Sequence, residues 1–274
     1  MSKQLKKTLK WTAFTIFLIL LLFFVLFPFL YMVISSFKTN VDLFNLNKLV
    51  IFQPTIKNYI DVFTLYSFAT PLRNTVIVSV SSTLLSLILA VPAAYSIARF
   101  RQKTFTVIIL AVRIIPAMAF LVPWYKIFTQ LNLNGTFISL ILCHMLVSVP
   151  LIVWIMIPYF EQLPLELEES AMVDGCMRIQ SFSRIMLPIA VPGIITTTLL
   201  AFIQSWNNFT FGLILGSAKT QPLPVAIFSF ISYTEVNYGG LMAAASVITL
   251  PIIIISLILQ KYIVAGLTAG AVKG

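Results

Sequence analysis

The chain has 274 residues, of which 59% are hydrophobic and 9% are charged, and its mean hydropathy is +1.01. This composition excludes a soluble globular domain, in which about 25% of residues are charged. The formal net charge is +10. In so apolar a chain we interpret it as membrane topology and attraction to lipid, and we expect no nucleic-acid partner.

Six long apolar runs predict six transmembrane helices. Five are free of charge, and the third is interrupted only by Arg113. A helix needs about 20 apolar residues to cross a hydrocarbon core about 30 Å thick, and the runs lack the alternation of a membrane barrel. They cover 11–37, 74–98, 104–125, 127–160, 185–218 and 236–260. The sequence therefore predicts an all-α membrane protein, a single domain over 1–274 with its core at 74–265.

Lysines before the first run orient the bundle. The run after Lys10 is longer than the apolar part of a signal peptide, so we expect an uncleaved anchor with a cytoplasmic N-terminus. Six spans return the C-terminus to the cytoplasm. In this orientation cytoplasmic segments carry 11 Lys and Arg residues and external segments carry six, which agrees with the positive-inside rule.

The chain offers no catalytic centre. Its only histidine, His144, falls within an apolar run, where we expect it to hydrogen-bond or pack between helices. The stretch 212–220 lacks the Gly directly before Lys that a phosphate-binding loop needs. Cys143 and Cys176 fall on different predicted segments and indicate neither a disulfide nor a metal site. We therefore expect no catalytic residue, no metal and no cofactor in this chain.

A polar insert holds most of the acidic residues. Five of the eight Asp and Glu residues lie between 161 and 174. Pro164 suits the start of a short helix, and Gly175 is placed to end it in a left-handed conformation. A second short helix is expected from about 177 to 187, ended by Pro188. This pattern predicts a helix-turn-helix surface, with Ala171 and Gly175 on one face, for a soluble partner.

The insert resembles the EAA loop of binding-protein-dependent ABC importer permeases. That loop reads Glu-Ala-Ala, three residues, Gly, nine residues, Ile-x-Leu-Pro. Here Glu169-Ser-Ala-Met-Val-Asp-Gly175 is followed after nine residues by Ile185-Met-Leu-Pro188, so the spacing matches throughout. Ser170 and Cys176 depart from the usual residues, but both are small.

Three further features are similar to the sugar-importing, maltose-type group of these permeases. They are Ala93-Ala-Tyr-Ser-Ile-Ala-Arg-Phe100, Ser205-Trp-Asn-Asn-Phe209 and the Gly-rich C-terminal tail 266–274. The tail resembles that of the permease subunit that partners a larger, second permease.

The resemblance implies a type I ABC importer permease in the cell (plasma or inner) membrane of a prokaryote. It would form the translocation path with a second, homologous permease, above two ATPase subunits that bind ATP and Mg. An extracytoplasmic sugar-binding protein would deliver the substrate. Within the coupling loop 161–188, the residues implied in ATPase docking are Glu169, Ser170, Ala171, Asp174, Gly175, Ile185, Leu187 and Pro188. The tail residues expected to reach the ATPases are Gly266, Gly270, Lys273 and Gly274.

Polar residues inside the runs suggest where a sugar could pass. Gln204, Asn207, Asn208 and Phe211 are spaced for one helical face, which would serve either sugar contacts or hydrogen bonds between helices. Arg113 either extends toward the cytoplasmic surface or lines a water-filled path.

Two alternatives compete with a sugar importer. A permease for amino acids, peptides or phosphate would keep the EAA loop but is not expected to show this tail. A stand-alone secondary transporter would need intramembrane carboxylates for ion coupling, and the predicted spans contain none.

Overall fold

The computed structural model describes residues 3–49, 51–231 and 236–269, and every regular element within those ranges is a helix. We number the principal helices α1 Lys3–Ser36, α2 Lys57–Thr64, α3 Ala69–Arg99, α4 Lys103–Ile114, α5 Leu121–Gln130, α6 Phe137–Glu161, α7 Glu166–Val173, α8 Arg178–Ile189, α9 Val191–Trp206, α10 Thr210–Leu215 and α11 Tyr238–Ala269. Short turns of helix lie at Asn40–Leu43, Leu46–Lys48, Ala117–Phe120, Leu223–Ala226 and Ile227–Phe230. The predicted all-α class is confirmed.

Four helices in the described ranges are long and apolar enough to cross a membrane. They are Lys10–Ser36 within α1, all of α3, all of α6, and Tyr238–Lys261 within α11. Two more apolar stretches are bent pairs: α4 with Ala117–Gln130, at 90°, and α8 with α9, at 75°. The described ranges therefore contain four straight candidate spans, or six if each bent pair counts as one.

The third apolar run is not the single straight helix that we expected. Helix α4 stops at Ile114, and Ile115 takes an extended conformation with ψ 123°. Pro116 follows, and a proline disfavours the helical region for the residue before it. The chain resumes as a short turn and then as α5, which explains the sharp bend.

The chain divides into two compact units, 1–68 with 227–250 and 69–226 with 251–274. In the second unit the core lies between α3 and α6. Small residues of α3, among them Ala90, Ala94 and Ala98, are buried in one cluster with Ile152, Met156 and Phe160 of α6. Small side chains let the backbones of membrane helices approach closely, and α9 packs against the same pair of helices.

Buried hydroxyls join three helices of this unit. The Oγ atoms of Ser82 on α3 and Ser205 on α9 lie 3.0 Å apart. His144 Nδ1 on α6 lies 2.5 Å from the same Ser205 Oγ. The expected hydrogen bond of His144 between helices is therefore present.

The first unit contains a small folded segment after α1. The Lys38 side chain is buried, and its Nζ donates a hydrogen bond of 2.7 Å to the carbonyl of Leu49. Lys48 Nζ donates to the Asp42 carboxylate at 2.5 Å, and this bond lowers the pKa of Asp42 below its usual value. Helix α1 differs from this segment, because no residue of its apolar window is buried within the structure.

Candidate functional site

The acidic helix of the insert forms where the sequence predicts it. Helix α6 ends at Glu161, and α7 begins at Glu166, two residues after Pro164. The backbone amides of Glu168 and Glu169 both donate to the carbonyl of Leu165, at 2.9 and 3.1 Å. Carboxylates in the first turn also interact favourably with the helix dipole, so the local sequence stabilises α7.

Gly175 ends α7 in the left-handed conformation that the sequence predicts. Its φ is +88°. Its amide donates to the carbonyl of Met172 at 3.1 Å, and the amide of Cys176 donates to Ala171 at 2.9 Å, which together make a Schellman motif. No atom lies within 4 Å of the place where a Cβ would stand. The need for glycine here is therefore set by the backbone and not by crowding.

Helix α8 does not end at Pro188, as the sequence had suggested. It contains a π-helical stretch at Phe182–Met186, and Pro188 lies within the final turn, Leu187–Ile189. A proline early in a helical turn loses nothing by its missing amide hydrogen. The bend between α8 and α9 therefore lies just after Pro188, between Ile189 and Val191.

The predicted docking residues are divided between the surface and the interior. Exposed positions are Glu169, Ser170, Asp174, Gly175 and Pro188, whereas Ile185 and Leu187 are partly buried. We expected Ala171 to share the surface with Gly175, but its side chain is only 4% exposed, so that expectation was wrong. The helical periodicity turns Ala171 and Glu168 inward, three residues apart.

Glu168 forms a buried ion pair that the sequence analysis did not identify. Arg99 Nε at the end of α3 donates to Glu168 Oε1 at 2.5 Å. The hydroxyl of Tyr95 donates to Glu168 Oε2 at 3.0 Å. Both members of the ion pair are less than 10% exposed. The available signal was an Arg in one resembling segment and a Glu directly before another, but they lie 69 positions apart.

Arg99 also reaches the other parts of the insert. Its Nη1 donates to the carbonyl of Leu163 at 3.1 Å, before α7. Its Nη2 lies 3.9 Å from the sulfur of Met186, in α8. One guanidinium therefore connects the end of α3, a candidate membrane span, with three parts of the insert. We call Arg99, Tyr95 and Glu168 the clamp.

Aromatic rings surround the clamp. The Tyr95 ring lies 4.6 Å from that of Phe182 in α8 and 5.6 Å from that of Phe160 in α6. Rings at these separations pack favourably. The insert is thus fixed to the end of α3 by both charge and packing, and the Phe182 ring also lies 6.5 Å from that of Phe160 in α6.

Two of the predicted path residues line one cavity within the second unit. The cavity has a volume of about 240 Å³, and Arg113 of α4 and Gln204 of α9 contribute its polar side chains. The guanidinium of Arg113 lies 4.4 Å from the ring centre of Trp154, in α6. Arg113 is exposed and lines this cavity, and its place in a water-filled path stays a prediction.

The remaining predicted path residues do not share a helical face with Gln204. Helix α9 ends at Trp206, and Asn207 is its exposed C-cap. The Oδ1 of Asn208 accepts the backbone amide of Phe211 at 3.0 Å, at the start of α10. Phe211 itself is buried. Asparagine side chains compete for backbone hydrogen bonds and so favour helix ends, which explains why the expected continuous helix was wrong.

The C-terminal tail is described only in part. Gly266 lies in α11, which runs to Ala269, so the helix extends past the predicted start of the tail. Gly270, Lys273 and Gly274 lie outside the described residues. Within the described ranges no group of three His, Cys, Asp or Glu residues could hold a metal ion, and both cysteines are free.

Comparison with known proteins gives a consistent family. Residues 82–269 match the family described as the binding-protein-dependent transport system inner membrane component. The trehalose/maltose transport system permease protein MalG of Thermococcus litoralis is 34% identical, and the match covers 93% of this chain and 94% of the MalG chain. The inner membrane ABC transporter permease protein YcjP of Escherichia coli is 34% identical, over 98% and 99%. The diacetylchitobiose uptake system permease protein DasC of Streptomyces coelicolor is 32% identical, over 90% and 92%.

Solved structures show the same fold. A chain of a bacterial ABC transporter involved in the import of the acidic polysaccharide alginate matches with a TM-score of 0.82 and 21% identity, over 96% of this chain and 98% of that one. A chain of the alginate transporter in complex with an alginate pentasaccharide-bound periplasmic protein matches with a TM-score of 0.68 and 18% identity, over 94% and 95%.

Proposed function

The chain belongs to the family of inner membrane components of binding-protein-dependent transport systems, and we propose that it is a permease subunit of an ATP-driven carbohydrate importer. The observation that carries the proposal is the insert between α6 and α9. Its exposed EAA-like residues stand on a short helix that a buried ion pair fixes to a membrane span. The sugar assignment is supported by relatives named for trehalose, maltose and diacetylchitobiose transport. Membership in this family argues against the alternative of a stand-alone secondary transporter.

In the proposed assembly, different subunits hydrolyse ATP and form the sugar path. A second permease completes the path, two ATPase subunits bind ATP and Mg, and an extracytoplasmic binding protein delivers the sugar. Both termini and the insert face the cytoplasm, and the tail 266–274 extends toward the ATPases. This chain provides no nucleotide site of its own and acts by changing conformation.

The proposed coupling runs from α7 through the clamp to α3. Nucleotide-driven closure of the ATPases displaces the exposed face at Glu169, Ser170 and Asp174. Because the Schellman turn at Gly175 and the Arg99–Glu168 pair fix α7, the displacement is passed to α3 as a rigid-body movement. Alternating access then follows from a ligand-biased equilibrium between two arrangements of the spans.

The proposed sugar path includes the cavity at Arg113. The guanidinium of Arg113 and the amide of Gln204 can donate hydrogen bonds to sugar hydroxyls, and Phe120 and Leu151 add apolar surface to the same cavity. The cavity is smaller than a complete ligand pocket of about 300–1,000 Å³, which fits a chain that supplies one wall of a shared path.

The test is purification of the tagged full-length chain from its native membrane in a mild detergent. We expect a second permease and ATP-hydrolysing subunits to accompany it, with ATPase activity that rises when the binding protein and its sugar are added. A chain that transports sugar in liposomes without any ATPase subunit would overturn the proposal.

A further inference from the structure

A second cavity lies beside the turn between α3 and α4. Its volume is about 320 Å³, and its polar lining comes mainly from that turn. The lining includes Arg101, Gln102, Lys103 and Thr106, with Glu161 from the end of α6. Ile97, Ala98 and Leu165 add an apolar wall. This cavity is separate from the one at Arg113 and shares no lining residue with it.

The cavity contains two uncompensated cations. Arg99 also lines it, but its charge is neutralised by Glu168. The side chains of Arg101 and Lys103 form no ion pair and no hydrogen bond with any part of the chain that the structure describes. Glu161, which also lines the cavity, forms no ion pair with either side chain. The local balance is two positive charges against one negative charge, which favours an anionic ligand.

The backbone at Arg101 takes a conformation that is unusual for arginine. The amide of Arg101 donates to the carbonyl of Ala98 and that of Gln102 to the carbonyl of Ile97, so α3 ends in a Schellman motif with Arg101 in the left-handed position, at φ +48°. Helices α7 and α5 end in the same motif, with Gly175 at φ +88° and Asn132 at φ +55° in that position.

Glycine and asparagine take this conformation at little cost, whereas arginine does not. Attraction to the helix dipole explains a cation in the last turn of a helix. It does not explain why the cation occupies the one position where the backbone is strained. A strained residue beside a cavity points to a role for its side chain.

We propose that this cavity binds the phosphate group of an anionic phospholipid. The turn follows directly on the charge-free stretch 74–98 of a candidate membrane span, so the cavity opens where lipid headgroups lie. Arg101 can hold phosphate oxygens with two parallel hydrogen bonds, and Lys103 adds a compact charge. The apolar wall at Ile97 and Leu165 accommodates the glycerol end of the acyl chains.

A lipid bound in this cavity influences the position of the insert relative to the end of α3. The occupied cavity adjoins Arg99, which is both a lining residue and the centre of the clamp. A lipid phosphate at this site holds the end of α3 against Leu165, the residue directly before α7. This inference does not depend on which sugar is carried.

The experiment is native mass spectrometry of the purified full-length chain titrated with phosphatidylglycerol or phosphatidylcholine. We expect the wild-type chain to prefer phosphatidylglycerol. Arg101→Gly removes the guanidinium while keeping the left-handed backbone, and Lys103→Gln removes the second charge without altering the turn. Each should weaken phosphatidylglycerol binding about five-fold, and the pair about 25-fold. Arg184→Gln, which removes an exposed cation of α8 outside the cavity, should leave the preference unchanged.

A third arm distinguishes lipid from free phosphate. Inorganic phosphate is titrated under the same conditions, and we expect no retained adduct. Unchanged phosphatidylglycerol binding in both Arg101→Gly and Lys103→Gln would overturn the proposal. Retention of inorganic phosphate with no preference between the two lipids would overturn the assignment to a phospholipid.

Discussion

At the scale of single residues, Gly175 shows how a family pattern reflects backbone geometry. Its left-handed φ of +88° closes α7, and the space around its Cα is open. A side chain at this position would meet no neighbour, so any cost comes from the backbone alone. That cost depends on how readily the new residue adopts a left-handed conformation.

We predict different outcomes for Gly175→Asn and Gly175→Val. Asparagine tolerates the left-handed region, whereas a β-branched residue does not, so valine should cost about 1 kcal/mol or more and distort the turn. Sugar uptake and thermal unfolding of the assembled transporter provide the measurement. Gly175→Asn should retain most uptake and Gly175→Val should lose it. Equal uptake by the two variants would show that the turn is not strained as described.

The clamp is the residue-scale feature with the greatest energetic consequence. A buried carboxylate and guanidinium are expensive to remove from water, and their attraction compensates only while both are present. The sequence could not reveal this pair, because each residue had an adequate local explanation. Glu168 suits the first turn of a helix, and Arg99 suits the end of a membrane span.

We predict a strong coupling between the two clamp residues. Glu168→Leu or Arg99→Met alone should lower the free energy of unfolding by about 3–5 kcal/mol, because each leaves a buried charge without its partner. The double variant should recover much of that loss. Thermal unfolding in detergent measures the cycle, with the exposed Glu169→Leu as a control that costs little. Additive losses in the double variant would contradict the account.

At the scale of elements, hydropathy predicted where the apolar helices lie better than it predicted whether each helix is continuous. The straight span α3 matches its apolar run to within five residues, whereas α6 begins at Phe137, ten residues into the run 127–160. The bends were missed because apolar composition is the same in a straight and in a broken helix. The causes were nevertheless in the sequence. Pro116 disfavours the helical conformation at Ile115, and the Asn208 side chain accepts a backbone amide at the start of α10.

We predict that Asn208→Ala destabilises the chain by about 1 kcal/mol through loss of this cap. Asn208→Asp should behave like the wild type, because its carboxylate can accept the same amide hydrogen bond from Phe211. Asn207→Ala serves as the neighbouring control, since its exposed side chain makes no described hydrogen bond. The measurement is the midpoint of thermal unfolding. Equal midpoints for the two alanine variants would show that the cap contributes nothing.

At the scale of the whole molecule, the proposed path and the proposed coupling surface should respond to different mutations. Arg113 and Gln204 line a cavity among the spans of the second unit, whereas Glu169 and Ser170 are exposed on the insert of the same unit. A change in the first should alter how substrate is held, and a change in the second should alter how ATP hydrolysis is used.

We predict that Arg113→Ala raises the KM for sugar uptake by about 10-fold, the equivalent of one lost charge-assisted hydrogen bond, while ATPase subunits remain bound. Lys126→Ala removes an exposed cation of α5 that does not line the cavity, and its KM should stay at the wild-type value. Initial uptake rates over a range of sugar concentrations provide the measurement. An unchanged KM for Arg113→Ala would remove this side chain from the path.

The central claim is that the exposed face of α7 couples ATP hydrolysis to transport. The most direct measurement is ATP-driven sugar uptake by the assembled complex in proteoliposomes, comparing Glu169→Lys with the same charge reversal at Glu166, an exposed residue of α7 outside the matched pattern. The account predicts that Glu169→Lys abolishes uptake and loses or uncouples the ATPase subunits, while Glu166→Lys retains more than half of the wild-type rate. Wild-type uptake by Glu169→Lys, or uptake that needs no ATP, would contradict it.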